Sequence, residues 1–331
     1  MNWGEIIDKF SASRVLVVGD ICLDRWCRYD PAEADISRET GLARIGIVGT
    51  EVTPGAGGTV ANNVAALGAG QVAVLGAIGQ DGFAFELERA LAERHVDYHL
   101  LVASPRVQTF TYTKLINDAT GVEDKPRVDY INTRTLPDEV EDQLIANFHS
   151  AYRDFDIILV SDQAETDHGG VISPALREMV CDVAERNPAK IVIVDSRNRI
   201  EQFRNVIAKP NGQEADRACR KMIGVIDYVR LRKAIGSSPL VVTRGADGAT
   251  LVTDKGEAHV PAPTTDQPID TCGAGDSFAA GLALALQATG DIEAAVRFAV
   301  LVSGVTIMKK GTGTATPAEV LEKAESLPQS A

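Results

Sequence analysis

The chain has 331 residues, a net charge of −13 at pH 7, 45% hydrophobic residues and 24% charged residues. This composition supplies ample core material, and the acidic balance argues against a general affinity for nucleic acid or anionic membranes. The five cysteines form no C-x-x-C pair, and the sequence shows neither a signal-like start nor an apolar run of 18 residues. We therefore expect a cytoplasmic protein with reduced thiols.

Short apolar, β-branched runs recur along the chain and predict buried strands. They lie at 14–19, 72–78, 157–161, 191–195 and 240–243. Segments of helical length and composition lie between several of them, at 61–67, 83–95, 137–148, 174–186 and 213–223. Strands that alternate with helices indicate a mostly parallel sheet covered on both faces, which is an α/β fold.

Two stretches interrupt this alternation, at about 25–54 and 98–131. In them apolar residues occupy alternate positions, as Ile45 and Ile47 do in the first stretch. Period-two alternation predicts strands with one solvated face. We therefore expect a small β lid, built from both segments and lying over the strand ends of a single domain of residues 1–331. A pair of ordinary loops is the alternative.

Polar and small residues follow the first predicted strand. Ligands of open α/β sheets bind beyond the carboxyl ends of strands, so Asp20 and Asp24 are placed to hold hydroxyl groups. No G-x-G-x-x-G spacing is present, which excludes a Rossmann dinucleotide site. Further on, Gly57 and Gly58 permit close approach of the backbone to a ligand, and Asn62 offers a donor and an acceptor to a sugar hydroxyl. A plain strand-to-helix turn is the alternative.

A nucleotide would need an unusual site here, because P-loop and protein-kinase motifs are absent from the sequence. Asn211 and Glu214 stand three residues apart, which brings two oxygen-bearing side chains to one face of a helical turn. Such a pair suits a hydrated Mg²⁺ ion, although a helix cap has the same spacing.

The strand at 240–243 is followed by a T-x-G-x-x-G loop, formed by Thr243, Gly245 and Gly248. Glycines in such a loop let the backbone press against a nucleotide, as they also do in many turns. Arg244 is a candidate phosphate ligand, with a solvated surface arginine as the alternative.

The most specific stretch is D-T-C-G-A-G-D-S-F at 270–278, which precedes an apolar run of helical length. A helix start has unpaired N–H groups and partial positive charge, so Gly273, Ala274 and Gly275 predict an anion site. Asp276 lies at its mouth, where a carboxylate can take a proton from a hydroxyl that attacks phosphorus. An ordinary helix N-cap is the alternative.

These motifs resemble those of the PfkB (ribokinase-like) carbohydrate kinases, and the likeness runs from about residue 15 to residue 319. The resemblance implies a ribokinase-like three-layer sandwich with a mostly parallel central sheet and a small β lid. It also implies an ATP- and Mg²⁺-dependent kinase that transfers the γ-phosphoryl group to a sugar hydroxyl. A later apolar helix at 293–308 would then form a wall of the adenine pocket.

The resemblance assigns roles residue by residue. Asp276 is the expected base, with the anion hole at Gly273, Ala274 and Gly275. The expected sugar ligands are Asp24, Gly57, Gly58, Asn62 and Asp276. The expected ATP contacts are Asn211, Thr243, Arg244, Gly245, Gly248 and Gly275. Asn211 and Glu214 would hold Mg²⁺ through water, and backbone carbonyls of Asp270 and Cys272 would hold K⁺.

Several shorter strings are similar to the heptose-7-phosphate kinase branch of this family, among them V-S-D-Q-A at 160–164 and V-D-S-R at 194–197. A phosphorylated sugar needs cationic partners, and such residues occur in the lid and at strand ends: Arg38, Arg44, Arg127, Arg197, Arg199 and Lys209. A free sugar, a nucleoside and a catalytically silent sugar or nucleotide binder are the alternatives. The family resemblance also implies a homodimer formed through the lid.

Overall fold

A computed structural model describes residues 2–164, 168–236, 238–263 and 267–326. The strands are β1 (Arg14–Gly19), β2 (Ile21–Tyr29), β3 (Asp35–Ile36), β4 (Ala43–Arg44), β5 (Ile47–Ala56), β6 (Gln71–Leu75), β7 (Ala77–Gly79), β8 (Val102–Ser104), β9 (Thr111–Asn117), β10 (Val128–Tyr130), β11 (Ile157–Asp162), β12 (Ile191–Ser196), β13 (Ile207–Ala208), β14 (Leu240–Thr243), β15 (Ala249–Thr253) and β16 (Gly256–Val260). The helices are α1 (Trp3–Ile7), α2 (Gly57–Ala66), α3 (Gly82–Ala92), α4 (Asp138–Ala151), α5 (Pro174–Arg186), α6 (Gly212–Ile223), α7 (Tyr228–Ile235), α8 (Ala274–Thr289), α9 (Ile292–Thr306) and α10 (Pro317–Ser326).

The central sheet has eight strands in the order β16-β15-β14-β13-β12-β11-β1-β6. The strands from β14 to β6 pair in parallel, and β15 and β16 continue the sheet in antiparallel pairing. Parallel strands require crossover connections, which the helices between them provide. The carboxyl ends of the parallel strands therefore share one edge of the sheet.

Both faces of this sheet are buried, as the side chains of β1 illustrate. Val15 and Val17 pack in one hydrophobic cluster with residues of α2, α3, α8 and α9. Leu16 and Val18 pack in a second cluster with residues of α4, α5, α6 and α7. Successive side chains of a strand point to opposite faces, so a continuous apolar run covers both. The three-layer α/β arrangement predicted from the sequence is confirmed.

A second sheet has the order β10-β9-β2-β5 and draws its strands from two separated parts of the chain. Strands β2 and β9 pair in parallel, and the outer two pair antiparallel to them. Trp26 of this sheet lies 3.6 Å from the Cβ position of Gly311, which follows α9. The sheet therefore contacts the loop next to the 270–276 turn, and its action as a lid remains a prediction.

Some element boundaries differ from the sequence-based expectation. Helix α2 begins at Gly57 rather than residue 61, and α3 ends at Ala92, before His95 with its φ of +57°. The run 72–78 is divided at Gly76, after which β7 leaves the central sheet and pairs with β8. A side chain at Gly76 would stand 2.6 Å from the carbonyl oxygen of Gly19, so the backbones meet closely there. Among the described residues, no helix is long and apolar enough to cross a membrane.

Candidate active site

The turn before α8 has the shape of an anion site. Gly273 is the N-cap and has φ +77°, a left-handed conformation that favours glycine. The helix begins at Ala274, so Asp276 is its third residue and not its N-cap. The first N–H groups of a helix have no carbonyl one turn earlier to bond, and they point out of its start. Here the Ala274 N–H donates to the Thr271 carbonyl at 3.3 Å, and Asp276 follows in the same first turn of the helix.

Asp276 is in an environment that resists ionisation. Burial, followed by the negative charge of Asp195, raises the pKa of this carboxyl to about 7, and Asp24 contributes in the same direction. The positive charges of Lys209 and Arg197 act against them. A general base is most effective when its pKa lies near the working pH, so Asp276 has the acidity that the predicted role requires.

Lys209 and Asp195 form an ion pair beneath this turn. The Lys209 Nζ atom lies 2.7 Å from Asp195 Oδ2, and the two side chains are 3% and 16% exposed. Burial lowers the pKa of Lys209, but Asp195, Glu214 and Asp276 outweigh it and leave the pKa raised. Sequence reasoning named Lys209 only as one of several cations and missed Asp195, although its place at the end of the 191–195 strand was a usable signal.

Asn211 and Glu214 form a capping box at the start of α6. The Glu214 N–H donates to Asn211 Oδ1 at 3.0 Å, and the Asn211 N–H donates to Glu214 Oε2 at 2.8 Å. Burial, followed by the charge of Asp195, raises the pKa of Glu214. The alternative reading as a helix cap therefore describes part of what the pair does. Both side chains also line the central cleft and present the hard oxygen donors that Mg²⁺ takes together with water.

One cleft of about 900 Å³ joins these groups. Thr243, Gly245 and Gly248 line it, and Val300 and Ile307 of the predicted adenine wall add apolar surface. The cleft is also lined by residues that could contact an anion or a metal ion: Asp195, Arg197, Lys209, Asn211, Glu214, Gly273, Ala274, Gly275 and Asp276. A site with apolar walls, a helix N-terminus and convergent polar groups fits a nucleoside triphosphate with its metal ion.

Arg244 is placed differently from its neighbours. Its Nε donates to Thr250 Oγ1 at 3.0 Å, and its guanidinium lies 5.4 Å from the centre of the Tyr228 ring. Thr243 and Gly245, on either side of it, line the cleft, and the Arg244 side chain is exposed. The role of Arg244 as a phosphate ligand therefore remains a prediction.

Asp24 is the first of the residues predicted to hold a sugar. Burial raises the pKa of Asp24 to about 6, against the positive charges of Lys114 and Arg127. Its carboxylate stands over Gly55, where a Cβ would lie 2.6 Å from Asp24 Oδ1. Asp24 also influences the pKa of Asp276, so the two carboxylates share one region.

The glycine-rich segment before α2 is positioned by packing. A Cβ on Gly57 would lie 2.8 Å from Ile21 Cδ1, and one on Gly58 would lie 2.6 Å from Pro54 Cβ. Thr59 is the α2 residue that meets the anion turn, since its Cγ2 is 3.4 Å from the Cβ position of Gly273. Asn62 is three residues further along α2 and half-buried. Sequence reasoning missed Thr59, because only the tertiary fold brings it to Gly273.

Several charged groups at the strand ends are engaged by the protein itself. Arg199 binds the buried Asp162 with two N–H groups, at 2.5 and 3.1 Å. Arg127 pairs with Asp129, and the exposed Arg44 lies 3.9 Å from Asp35. Arg38 is exposed, and Arg197 lines the cleft.

The Asp20 carboxylate is bound by backbone N–H groups of the protein itself. It accepts hydrogen bonds from the backbone N–H groups of Gln163, Ala164 and Val171 at 2.7 to 2.8 Å. Burial, followed by the charge of Asp162, raises its pKa to about 6. Asp20 therefore joins the end of β1 to the segment after β11, which corrects the expectation that it holds a ligand hydroxyl.

The predicted K⁺ segment is hydrogen-bonded within itself and to the loop that follows α9. Asp270 accepts a hydrogen bond from the Cys272 N–H at 2.9 Å and another from the Gly311 N–H at 3.1 Å. The Cys272 side chain is exposed. These contacts fix the path of the chain from residue 270 into the anion turn.

Comparison with solved structures identifies the fold. The chain superimposes on phosphofructokinase-2 from Escherichia coli in complex with potassium with a TM-score of 0.69 at 19% identity, over 95% of this chain and 99% of that one. It also superimposes on Arabidopsis thaliana ribokinase complexed with ribose and ATP with a TM-score of 0.66 at 18% identity, over 94% of this chain and 98% of that one. The predicted ribokinase-like fold is confirmed.

Comparison at the sequence level gives the family. A family model described as pfkB family carbohydrate kinase matches residues 13–319. The chain therefore belongs to the pfkB family of carbohydrate kinases, which are phosphotransferases with an alcohol group as acceptor. This confirms the resemblance and the enzyme class drawn from the motifs. The chain is 29% identical over 327 residues to the bifunctional protein HldE of Trichlorobacter lovleyi, covering 96% of this chain but only 64% of that protein's length.

Proposed function

We propose that this carbohydrate kinase transfers the γ-phosphoryl group of MgATP to a hydroxyl of a sugar that already carries a phosphate, such as heptose 7-phosphate. The observation that carries the proposal is the position of Asp276. It stands in the first turn of α8 and lines the cleft that suits a nucleotide, and it is also within electrostatic reach of Asp24, the carboxyl on which Lys114 and Arg127 act. A base in that position can serve both a hydroxyl and a phosphoryl donor.

In this proposal the protein acts mainly by positioning and by electrostatics, as phosphoryl transfer requires. Asp276 accepts the proton of the acceptor hydroxyl. Backbone N–H groups of Gly273, Ala274 and Gly275 stabilise the negative charge that develops on the transferred group. Bound Mg²⁺ would neutralise phosphate charge. Asn211 and Glu214 would support it through water, and Thr243, Gly245 and Gly248 would contact the nucleotide.

A phosphorylated acceptor is supported by charges beside Asp24. Lys114 of β9 and Arg127, next to β10, are the two cations that act on the Asp24 carboxyl. Lys114 is only loosely paired, with Nζ 3.9 Å from Glu123 Oε2. Asp24 would hold sugar hydroxyls while Lys114 binds the phosphate, together with Gly57, Gly58 and Asn62 as further proposed sugar contacts. The likeness to HldE proteins favours a heptose phosphate over a free sugar or a nucleoside.

The second sheet would act as the lid over this acceptor within a single domain. This sheet and the neighbouring β3–β4 pair expose apolar side chains, and a second copy of the chain would cover them in a homodimer: Ile36, Leu42, Ile47, Val48 and Val128. Light scattering during size-exclusion chromatography tests this, since a monomer at micromolar concentration contradicts it. A K⁺ ion near Asp270 and Cys272 is a further proposal, which replacement of K⁺ by Na⁺ in the assay would examine.

The decisive experiment measures ATP turnover on heptose, hexose and pentose phosphates and on the corresponding free sugars. We expect turnover on a phosphorylated sugar and its loss in Asp276→Asn. Lys114→Met should raise KM for the phosphorylated sugar at least tenfold and leave KM for ATP unchanged. Turnover confined to free sugars would contradict the substrate class, and ATP binding without turnover on any acceptor would contradict the function.

A further inference from the structure

Three segments that are distant in the sequence place Asp195, Lys209 and Asp276 together. Asp195 lies on β12, Lys209 directly follows β13, and Asp276 is in the first turn of α8. The Lys209 Nζ atom is 2.7 Å from Asp195 Oδ2 and 3.6 Å from the Cβ position of Gly275. Because Lys209 is 2% exposed, its ammonium group lies against the start of α8 with little water around it.

We propose that the buried Lys209–Asp195 ion pair sets the balance of charge at Asp276, in which Lys209 favours ionisation of the base and Asp195 opposes it. The inference rests on the proposed function, in which Asp276 accepts the proton. Lys209 and Asp195 are then positioning residues that act through Asp276. The Asp276 carboxylate alone meets the acceptor hydroxyl.

The balance of charge around Asp276 shows why the pair matters. Burial and the carboxylates of Asp195 on β12 and Asp24 on β2 oppose ionisation of Asp276. Lys209, after β13, and Arg197, after β12, favour it. An opposite charge at close range lowers the pKa of a carboxyl by roughly one to three units, and a like charge raises it. Loss of Lys209 should therefore raise the pKa of Asp276, and loss of Asp195 should lower it.

The test is the acid limb of the pH dependence of kcat/KM, which reports the base in the free enzyme. In the wild type we expect this limb near the pKa of Asp276, about 7. Lys209→Met should move it upward by roughly one pH unit or more, so that activity lost at pH 7 returns at pH 9. Asp195→Asn should move it downward, and the double variant should lie close to the wild type.

Lys190→Met is the matched control. Lys190 is also a partly buried lysine, and it donates to the carbonyl oxygens of Tyr152 and Phe155. It directly precedes β12 and stands five residues before Asp195, roughly 16 Å away at the rise of a β-strand. We expect its removal to lower stability without moving the acid limb. An equal shift in this control would show that the shift reports general loosening and would overturn the proposal.

A second readout does not depend on turnover. Titration of ¹³Cγ-labelled aspartate by NMR, with Asp276→Asn to assign the signal, should show the same upward and downward displacements in the ligand-free protein. If Lys209→Met does not fold, the downward shift in Asp195→Asn remains a sufficient test. An unmoved Asp276 titration in folded variants, or a uniform rate loss that the double variant does not reverse, would refute the role of the pair. Absence of any kinase activity in the wild type would refute the proposed function while leaving the NMR result interpretable.

Discussion

Asp276→Asn separates the catalytic role of this side chain from its effect on stability. Asparagine keeps the size of the side chain and removes the site that accepts a proton. If Asp276 is the base, kcat should fall by roughly 10²–10⁴-fold. ATP affinity should change little, because the nucleotide is expected to contact the backbone of the anion turn and the 243–248 loop.

The same substitution should stabilise the fold at alkaline pH. The folded pKa is about 7, and the ordinary value is 3.8. The unfolded chain therefore loses this proton at lower pH than the folded chain, and the folded state becomes less stable as pH rises between these values. The difference of about three units corresponds to at most roughly 4 kcal/mol at pH 8 and above, and almost nothing below pH 4.

The assay compares urea unfolding of the two proteins at pH 5 and at pH 8, alongside steady-state kinetics. We expect Asp276→Asn to be more stable than the wild type, with a larger advantage at pH 8. Asp195→Asn, which alters a neighbouring carboxyl, serves as a comparison. A loss of kcat below tenfold with chemistry rate-limiting, or a stability difference independent of pH, would refute the reasoning.

Three further predictions concern residues around the site. Glu214→Gln keeps a side chain that can complete the capping box, so the thermal midpoint of unfolding should not change. The Mg²⁺ concentration for half-maximal activity should rise several-fold. An unchanged Mg²⁺ requirement would contradict a role for Glu214 in holding the metal ion. Arg199→Met leaves Asp162 buried without its cation and should cost about 3–5 kcal/mol in urea unfolding, a loss that Asp162→Asn in the same chain should reduce. Ala56→Gly removes the backbone strain of an alanine at φ +49° and should raise the free energy of unfolding by about 1 kcal/mol. A lower free energy of unfolding would show that alanine is not strained in this turn.

Much of the fold could be predicted from local patterns in the sequence. Continuous apolar runs such as 157–161 predicted strands buried on both faces, because successive side chains of a strand alternate in direction. Glycine at 273 predicted a helix start, and the structure has a left-handed N-cap there before α8. These features depend on the residues within a few positions of each other, which a sequence displays directly.

Contacts between distant segments decided the rest of the site. Nothing local distinguishes Lys209, tied to Asp195 beside Asp276, from Arg199, which is bound to Asp162. Thr59 meets Gly273 only because two helices start at the same edge of the sheet. Burial and charge set the pKa of Asp276, and both depend on neighbours more than 60 residues away in the chain. The sequence therefore determined the elements and the family motifs, whereas the tertiary structure decided which charges share the cleft, because electrostatic energy depends on separation in space and on burial.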